Sequence, residues 1–269
     1  MAIVVTAGER HVGLIGYGAI GRELARALLA DKAHRYRISL LTRSAGADPN
    51  GADDRLARVK DFLLLAPRPV VIIEAAGQQA VAEEVPRLLE AGIPVILASI
   101  GALADDVLRA RLERIAEEHH ASLILPPGAV GGLDYLRAAA LTRPVEVRYT
   151  SRKPPAAWRD ELAAKGLSDE SVIDELVLFE GPARQAAALF PKNLNVAATL
   201  AVAGIGMDET RVRVVVDPRV SANSHEVDIS SPLGRACFTF VNTPSPDNPK
   251  TSRIAAFSLY SAVRQFFGR

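Results

Sequence analysis

Residues 12–21 read Val12-Gly13-Leu14-Ile15-Gly16-Tyr17-Gly18-Ala19-Ile20-Gly21. A short apolar run ends in glycine and passes directly into an amphipathic helical pattern from Ile20 to Ala30. The spacing is G-x-G-x-x-G, placed at a strand-to-helix turn near the N-terminus, which is the context that gives this pattern meaning. Gly16 permits the tight turn. Gly18 carries no side chain to keep a pyrophosphate off the backbone, and Gly21 lets the helix pack closely on the strand. The helix start, at Ala19 and Ile20, then offers unpaired N–H groups and a partial positive charge to phosphate. A dinucleotide site is expected here; the alternative is a glycine-rich turn without a ligand.

Working outward, the same alternation repeats. Arg37–Thr42 reads as a second strand, residues 43–57 as loop, and Val70–Glu74 as a near-continuous apolar run of the kind buried on both faces of a parallel sheet. A helix from about Gln79 to Ala91, a strand at Pro94–Leu97, a helix from about Ala104 to His120 and a strand at Ser122–Leu125 complete the series. Strands separated by single helices predict βαβ units in a doubly wound α/β sheet, a Rossmann domain. The second strand ends in Leu41-Thr42-Arg43-Ser44 with no carboxylate for a ribose 2′-hydroxyl. Arg43, with Thr42 and Ser44 as hydroxyl donors, suits a 2′-phosphate, so NADP is expected to serve at least as well as NAD. The alternative for Arg43 is a solvated loop charge.

Beyond Pro127 the texture changes. Strand patterns at Val145–Thr150, Val172–Glu180, Arg211–Asp217, Ser224–Ile229 and Cys237–Asn242 are joined partly by helical patterns at 182–189 and 195–206. The last three strands follow one another with only turn residues between them, which predicts antiparallel pairing. The expectation is an α+β domain with a mixed or antiparallel sheet over residues 128–252. It follows a dinucleotide-binding domain over 1–127, to which a final helix within 253–269 returns.

Bulk composition narrows the class. With 269 residues there is length for two domains and a substantial core. Hydrophobic residues make up 49% and charged residues 23%, which excludes a disordered chain. The 32 Lys plus Arg against 31 Asp plus Glu leave no basic excess for nucleic acid or anionic membrane. One cysteine excludes an intramolecular disulfide and a thiolate zinc site. No apolar run approaches a membrane span, and no export signal or metal-ligand clustering is visible, so a cytoplasmic protein is expected.

Candidates for chemistry lie in the second half. Along Asn223-Ser-His-Glu-Val-Asp-Ile229, alternation puts His225, Val227 and Ile229 on one face. His225 is either a core histidine satisfied by a backbone carbonyl, or a general acid/base in a cleft between the domains. Pro126-Pro-Gly-Ala-Val-Gly-Gly-Leu-Asp134 follows the last strand of the first domain, where glycines permit close approach to a nicotinamide ring or serve as a hinge. In Pro191-Lys-Asn-Leu-Asn195, Asn193 or Asn195 is placed to cap the next helix, and Lys192 to meet a substrate carboxylate. Cys237 sits inside a strand pattern, away from any helix start that would stabilise a thiolate, which argues against a catalytic thiol.

Taken together, Gly16–Gly21, Glu74-Ala-Ala-Gly77, Pro127–Asp134, Pro191–Ala198, Asn223–Val227 and Asn248-Pro-Lys-Thr-Ser252 resemble the L-aspartate dehydrogenase family in order and over nearly the whole chain. The resemblance implies a Rossmann domain, an α+β domain and a homodimer. It also implies oxidation of L-aspartate to iminosuccinate with NAD or NADP; the imine hydrolyses to oxaloacetate and ammonia or feeds NAD biosynthesis. By motif, His225 corresponds to the family's catalytic histidine, and Ala129 and Asn195 to cofactor-binding positions. The substrate's two carboxylates need cationic or hydroxyl partners, for which Lys192, Lys250, Thr251 and Ser252 are candidates. The rival readings are a homoserine dehydrogenase-like or dihydrodipicolinate reductase-like enzyme, and a non-catalytic NADP-binding sensor.

Overall fold

The computed structural model describes residues 8–43, 53–190 and 195–268. Two compact units emerge: Met1–Pro126 together with Ala255–Arg269, and Pro127–Ile254.

The first unit alternates β1 (Glu9–Ile15), α1 (Ala19–Leu29), β2 (Arg35–Leu41), β3 (Leu56–Arg58), β4 (Val71–Glu74), α2 (Gln78–Glu90), β5 (Val95–Leu97), α3 (Asp106–Glu118) and β6 (Leu123–Ile124). The six strands form one sheet in the order β3-β2-β1-β4-β5-β6, and every pair is parallel. The central strands are apolar on both faces because helices cover both; Leu14, Ile38, Leu40, Ile72 and Ile73 are fully buried. The order reverses between β1 and β4. In such sheets that switch point lies where the loops at the strands' carboxyl ends diverge and leave room for a ligand. β3 falls in the stretch read as loop. It has three residues, of which only Leu56 is buried, too few for a period to register.

The helices explain themselves by face. α1 buries Gly21, Leu24, Ala25 and Leu28, and α2 buries Val81, Val85, Leu88 and Leu89 among others. The Asp105 carboxylate caps α3 by accepting from the N–H groups of Val107 and Leu108 at 2.9 and 3.1 Å. The closing helix belongs to this unit for the same reason: Leu259, Ala262 and Val263 join the core that holds Val12, Leu24, Tyr36 and Ile38.

The second unit contains α4 (Leu133–Ala139), β7 (Glu146–Lys153), α5 (Arg159–Ala163), β8 (Leu176–Pro182), α6 (Ala183–Leu189), α7 (Asn195–Ala203), β9 (Arg211–Val216), β10 (Asn223–Ser231), β11 (Gly234–Asn242), β12 (Pro244–Ser245) and β13 (Asn248–Ser252). Its five-stranded sheet runs β11-β10-β7-β9-β8 and is mixed; β12 and β13 pair separately. β10 and β11 are antiparallel neighbours, as expected. β9 and β10 are not neighbours: β7 lies between them, antiparallel to β10 and parallel to β9. Succession along the chain gave their opposite directions but not the inserted strand, because β7's partners lie more than 50 residues downstream. The stretch read as a glycine loop ends at Asp134, two residues into α4, a helix that the sequence reading did not assign and of whose seven residues three are buried. α7 is buried nearly all round, from Val196 to Ala201. The chain then enters α8 (Ile254–Phe266), the closing helix of the first unit.

Leu259 tests the return of α8. Leu259→Ala should lower the stability of the folded chain by about 2–5 kcal/mol, measured by denaturant titration, because it empties a fully packed position against β1 and β2.

Candidate active site

The glycine turn of the first unit has the geometry its sequence suggested. Gly16 has a φ of 93°, and a Cβ there would lie 2.7 Å from the Ala75 carbonyl oxygen and the Ala76 Cα. Its N–H donates to the Leu41 carbonyl at 2.9 Å, while the Ala75 N–H donates to the Ile15 carbonyl at 2.8 Å. The ends of β1, β2 and β4 are thus tied together. A Cβ on Gly21 would stand 2.3 Å from the Gly16 carbonyl oxygen, so α1 can approach the turn only with glycine there. Around Gly18 nothing lies within 4 Å of a built Cβ, and α1 has no side-chain cap. Open space beside uncapped helix N–H groups, at Ala19 and Ile20, fits a pyrophosphate, and the residues present therefore suit a dinucleotide.

Glu74, at the end of β4, is a structural part of this edge that sequence reasoning did not interpret. Its carboxylate is fully buried and accepts from the N–H groups of Ala76 (2.7 Å), Gly77 (2.8 Å) and Ser99 (3.0 Å), and from the Ser99 hydroxyl (3.0 Å). Burial pushes its pKa upward and the four hydrogen bonds oppose that shift. One side chain thereby fixes the turns after β4 and β5.

Thr42 and Arg43 follow β2 beside Gly16. Arg43 is 62% exposed and forms an ion pair with Glu83 of α2, a residue absent from the sequence reading. Ser44 lies outside the described residues.

In the second unit, register assembles a polar group on one face. His225 of β10 pairs with Ser151 of β7 on one side and with Phe240 of β11 on the other. Tyr149 and Lys153 lie two positions either side of Ser151, so they share the imidazole's face, as do Asn223, Val227 and Ile229. The Tyr149 hydroxyl is 2.7 Å from His225 Nδ1, and the two rings are nearly parallel at 6.0 Å. Both residues are buried, His225 at 3% exposure, and no described group hydrogen-bonds its Nε2. Burial, aided by the positive charge of Lys153, lowers the imidazole pKa to about 3. Burial drives the Tyr149 phenol upward, so it stays protonated. A neutral imidazole held at one nitrogen and unengaged at the other is equipped to exchange a proton at Nε2.

The glycine loop after β6 lies on this same face. A Cβ on Gly131 would touch the Phe240 ring at 3.4 Å, and one on Gly132 would lie 2.8 Å from the Phe238 ring. The Ala129 carbonyl accepts a hydrogen bond from the Asn242 side chain at 2.8 Å, and Asn242 pairs in register with Asn223. Asn223 in turn donates to the Ser252 hydroxyl at 3.3 Å. Ala129 and Ser252 are therefore gathered around the start of β10, two residues from His225.

The other expected residues are more dispersed. Asn195 opens α7, where its carbonyl accepts from the Thr199 hydroxyl at 2.8 Å. Lys250 and Thr251 lie in β13, and Lys192 and Asn193 fall outside the described residues. Among the described residues no three His, Cys, Asp or Glu side chains come together as a metal site, and no helix is long and apolar enough to cross a membrane. Cys237 is exposed, and its thiol donates to Asp228. On the opposite face of the sheet Arg152 binds Glu175, Asp217 and Glu226 at 2.5–3.0 Å, tying β7 to β10, to the turn after β9 and to the approach to β8 from behind.

Residues 134–266 match the family described as aspartate dehydrogenase, C-terminal, and residues 16–126 match the NAD-binding domain of homoserine dehydrogenase. L-aspartate dehydrogenase 2 of Bordetella bronchiseptica is 50% identical over 260 residues, covering 96% of this chain and 97% of that protein. L-aspartate dehydrogenase of Methanosarcina barkeri is 39% identical over 268 residues, covering 94% and 96%. The crystal structure of aspartate dehydrogenase from Thermotoga maritima superposes with a TM-score of 0.77 at 28% identity, covering 96% of each chain.

The second and third glycines of the motif, Gly18 and Gly21, can be separated by experiment. Gly18→Ala should leave the melting temperature unchanged and weaken dinucleotide binding, because its Cβ meets only open space. Gly21→Ala should cost about 1–3 kcal/mol of stability before any ligand is added, since its Cβ strikes backbone. Thermal melts with and without NADP measure both.

Proposed function

The chain belongs to the aspartate dehydrogenase family, and from that premise we propose that it oxidises L-aspartate with His225 as the group that exchanges the proton. It is an NAD(P)-dependent amino-acid dehydrogenase on a Rossmann domain joined to a mixed-sheet α/β domain. The observation that carries the role of His225 is its hydrogen-bond state: Nδ1 is held by Tyr149 and Nε2 is buried without a described partner. A core histidine kept for packing alone would leave a buried polar atom unsatisfied, which costs stability. A non-catalytic sensor would have no use for it. The homoserine dehydrogenase likeness in sequence is confined to residues 16–126.

Proton bookkeeping defines what the residues must do. Bound dinucleotide supplies the hydride acceptor. Aspartate arrives as an ammonium, and hydride can leave Cα only when the nitrogen lone pair is free, so one proton must first be removed. His225 Nε2 receives it, and this requires the Nδ1 proton to be donated to the Tyr149 oxygen. Loss of hydride then yields iminosuccinate as its iminium, and attack of water on that carbon gives oxaloacetate and ammonium. Once its proton has passed to solvent, the same imidazole is suited to activating that water.

We assign residues 1–127 with 253–269 to the dinucleotide and 128–252 to the substrate. Gly16, Gly18, Ala19, Ile20 and Gly21 take the pyrophosphate, Thr42 and Arg43 the adenosine ribose end, and Ala129 and Asn195 further cofactor contacts. Ser252, which touches Asn223, is the best supported of the four substrate candidates. A homodimer in the cytoplasm that feeds NAD biosynthesis is the proposed setting; the single cysteine and balanced charge support a reducing compartment without nucleic-acid or membrane partners.

His225→Ala should reduce kcat for L-aspartate by at least about a hundredfold while reduced dinucleotide still binds, as followed by its fluorescence. In the wild-type enzyme the acid limb of kcat/KM should fall well below pH 6.5. The imidazole pKa is lowered, so the base remains neutral and active where an ordinary histidine would be protonated; a limb near 6.5 would contradict the buried geometry. Arg43→Glu should raise the Kd for NADP more than that for NAD, measured by titration of each.

A further inference from the structure

From Arg10, Arg35 and Arg68 we infer a second ligand site in the first unit, a seat for a small oxyanion that carries more than one negative charge. A cleft of about 500 Å³ opens at the amino ends of β1 and β2, the edge of the sheet opposite the glycine turn. Arg10 comes to its wall from β1, Arg35 from β2 and Arg68 from the approach to β4, while Phe267 adds a ring just beyond α8. The dehydrogenase chemistry uses none of these residues.

Charge in this cleft is not balanced from within. Glu9 is the one carboxylate in the wall, and its two oxygens accept from Arg35 and Arg37 at 3.0 Å each, so one negative charge is shared between two guanidiniums. His34 turns instead to Asp31, at 3.4 Å. Arg10 donates to the Tyr36 hydroxyl at 3.2 Å and Arg68 to the Leu63 carbonyl at 3.1 Å, both neutral acceptors. Among the described residues neither arginine pairs with a carboxylate, and Asp61, which feels the charge of Arg68, is engaged by Arg87. Like charges gathered in one concavity repel until an anion enters, and the planar fork of a guanidinium matches carboxylate and phosphate oxygens. Arg10 is half-buried, its guanidinium 4.8 Å from the centre of the Phe267 ring and 5.8 Å from that of Tyr36. It is therefore held in place before ligand arrives, which limits the ordering cost of binding. The volume admits a small molecule.

The glycine turn itself attracts phosphate, so the test is made on the chain saturated with NADP. Inorganic phosphate and citrate, at an ionic strength held constant with sodium chloride, should raise the wild-type melting temperature along a saturable curve. Arg10→Met and Arg68→Gln should each raise the dissociation constant read from that curve by at least about tenfold, the scale of one charge-assisted contact, with NADP affinity unchanged. A response to citrate alone identifies the ligand as a carboxylate and a response to phosphate alone as a phosphate; either supports the seat. No saturable response to either anion, or a curve for Arg68→Gln that coincides with the wild type, would overturn it and leave the dehydrogenase assignment intact. Should Arg10→Met fail to fold, Arg68→Gln carries the test, because Arg68 is exposed.

Discussion

A neutral imidazole buried beside a buried ammonium is the constraint around which the second unit is organised. Neither group is comfortable there: burial disfavours a charge on His225, and Lys153 adds repulsion. The fold holds the pair together by placing both on adjacent strands of one sheet, with Tyr149 fixing one ring nitrogen and Trp158 lying against the lysine. Arg152 and its three carboxylates tie β7 to β10 and to the turn after β9 from the opposite face. The register that aligns His225 with Ser151 is thus locked from both sides, and a one-residue slip would turn every one of these groups to the wrong face.

The first unit meets a different requirement, that of bringing backbone close to an anion. Here the absence of side chains is the functional material. Gly16 and Gly21 fill no space because backbone from Ala75, Ala76 and Gly16 itself already occupies it, whereas Gly18 borders space that is open. Glu74 supplies the converse. A buried carboxylate with four donors ties down the two neighbouring turns at the edge proposed for phosphate.

How much of this was legible follows from the range of each interaction. The glycine turn and the βαβ alternation are local patterns, and they appear in the structure with element ends shifted by one to three residues. The inward direction of His225 is also local, since alternation along β10 gives it directly. The surroundings that support an acid/base reading of that histidine are not local: they are Tyr149, 76 positions away, and an Nε2 without a described partner. Lys153 precedes Pro154 and Pro155, and in one dimension a lysine before two prolines resembles a solvated loop charge. Only its place at the buried end of β7 reveals otherwise. Arg43 was read for its charge, but the Glu83 that it meets lies 40 residues on. The insertion of β7 between β9 and β10 likewise has no local signature.

Charge also links recognition to chemistry. Burial is the main cause of the weak basicity of His225, and the positive charge of Lys153 acts in the same direction. An imidazole held near a pKa of about 3 is a weak base, so proton removal from an ammonium would be slow if nothing altered its surroundings. The negative charges of an amino diacid bound beside His225 would offset the repulsion that Lys153 exerts on it and would favour the incoming proton. A base at His225 would therefore strengthen with an amino diacid in place and stay weak without one. A neutral side chain of the same size would fill the volume yet leave the imidazole's basicity short of that second contribution. On this account discrimination in favour of aspartate arises in the proton-transfer step as well as in binding.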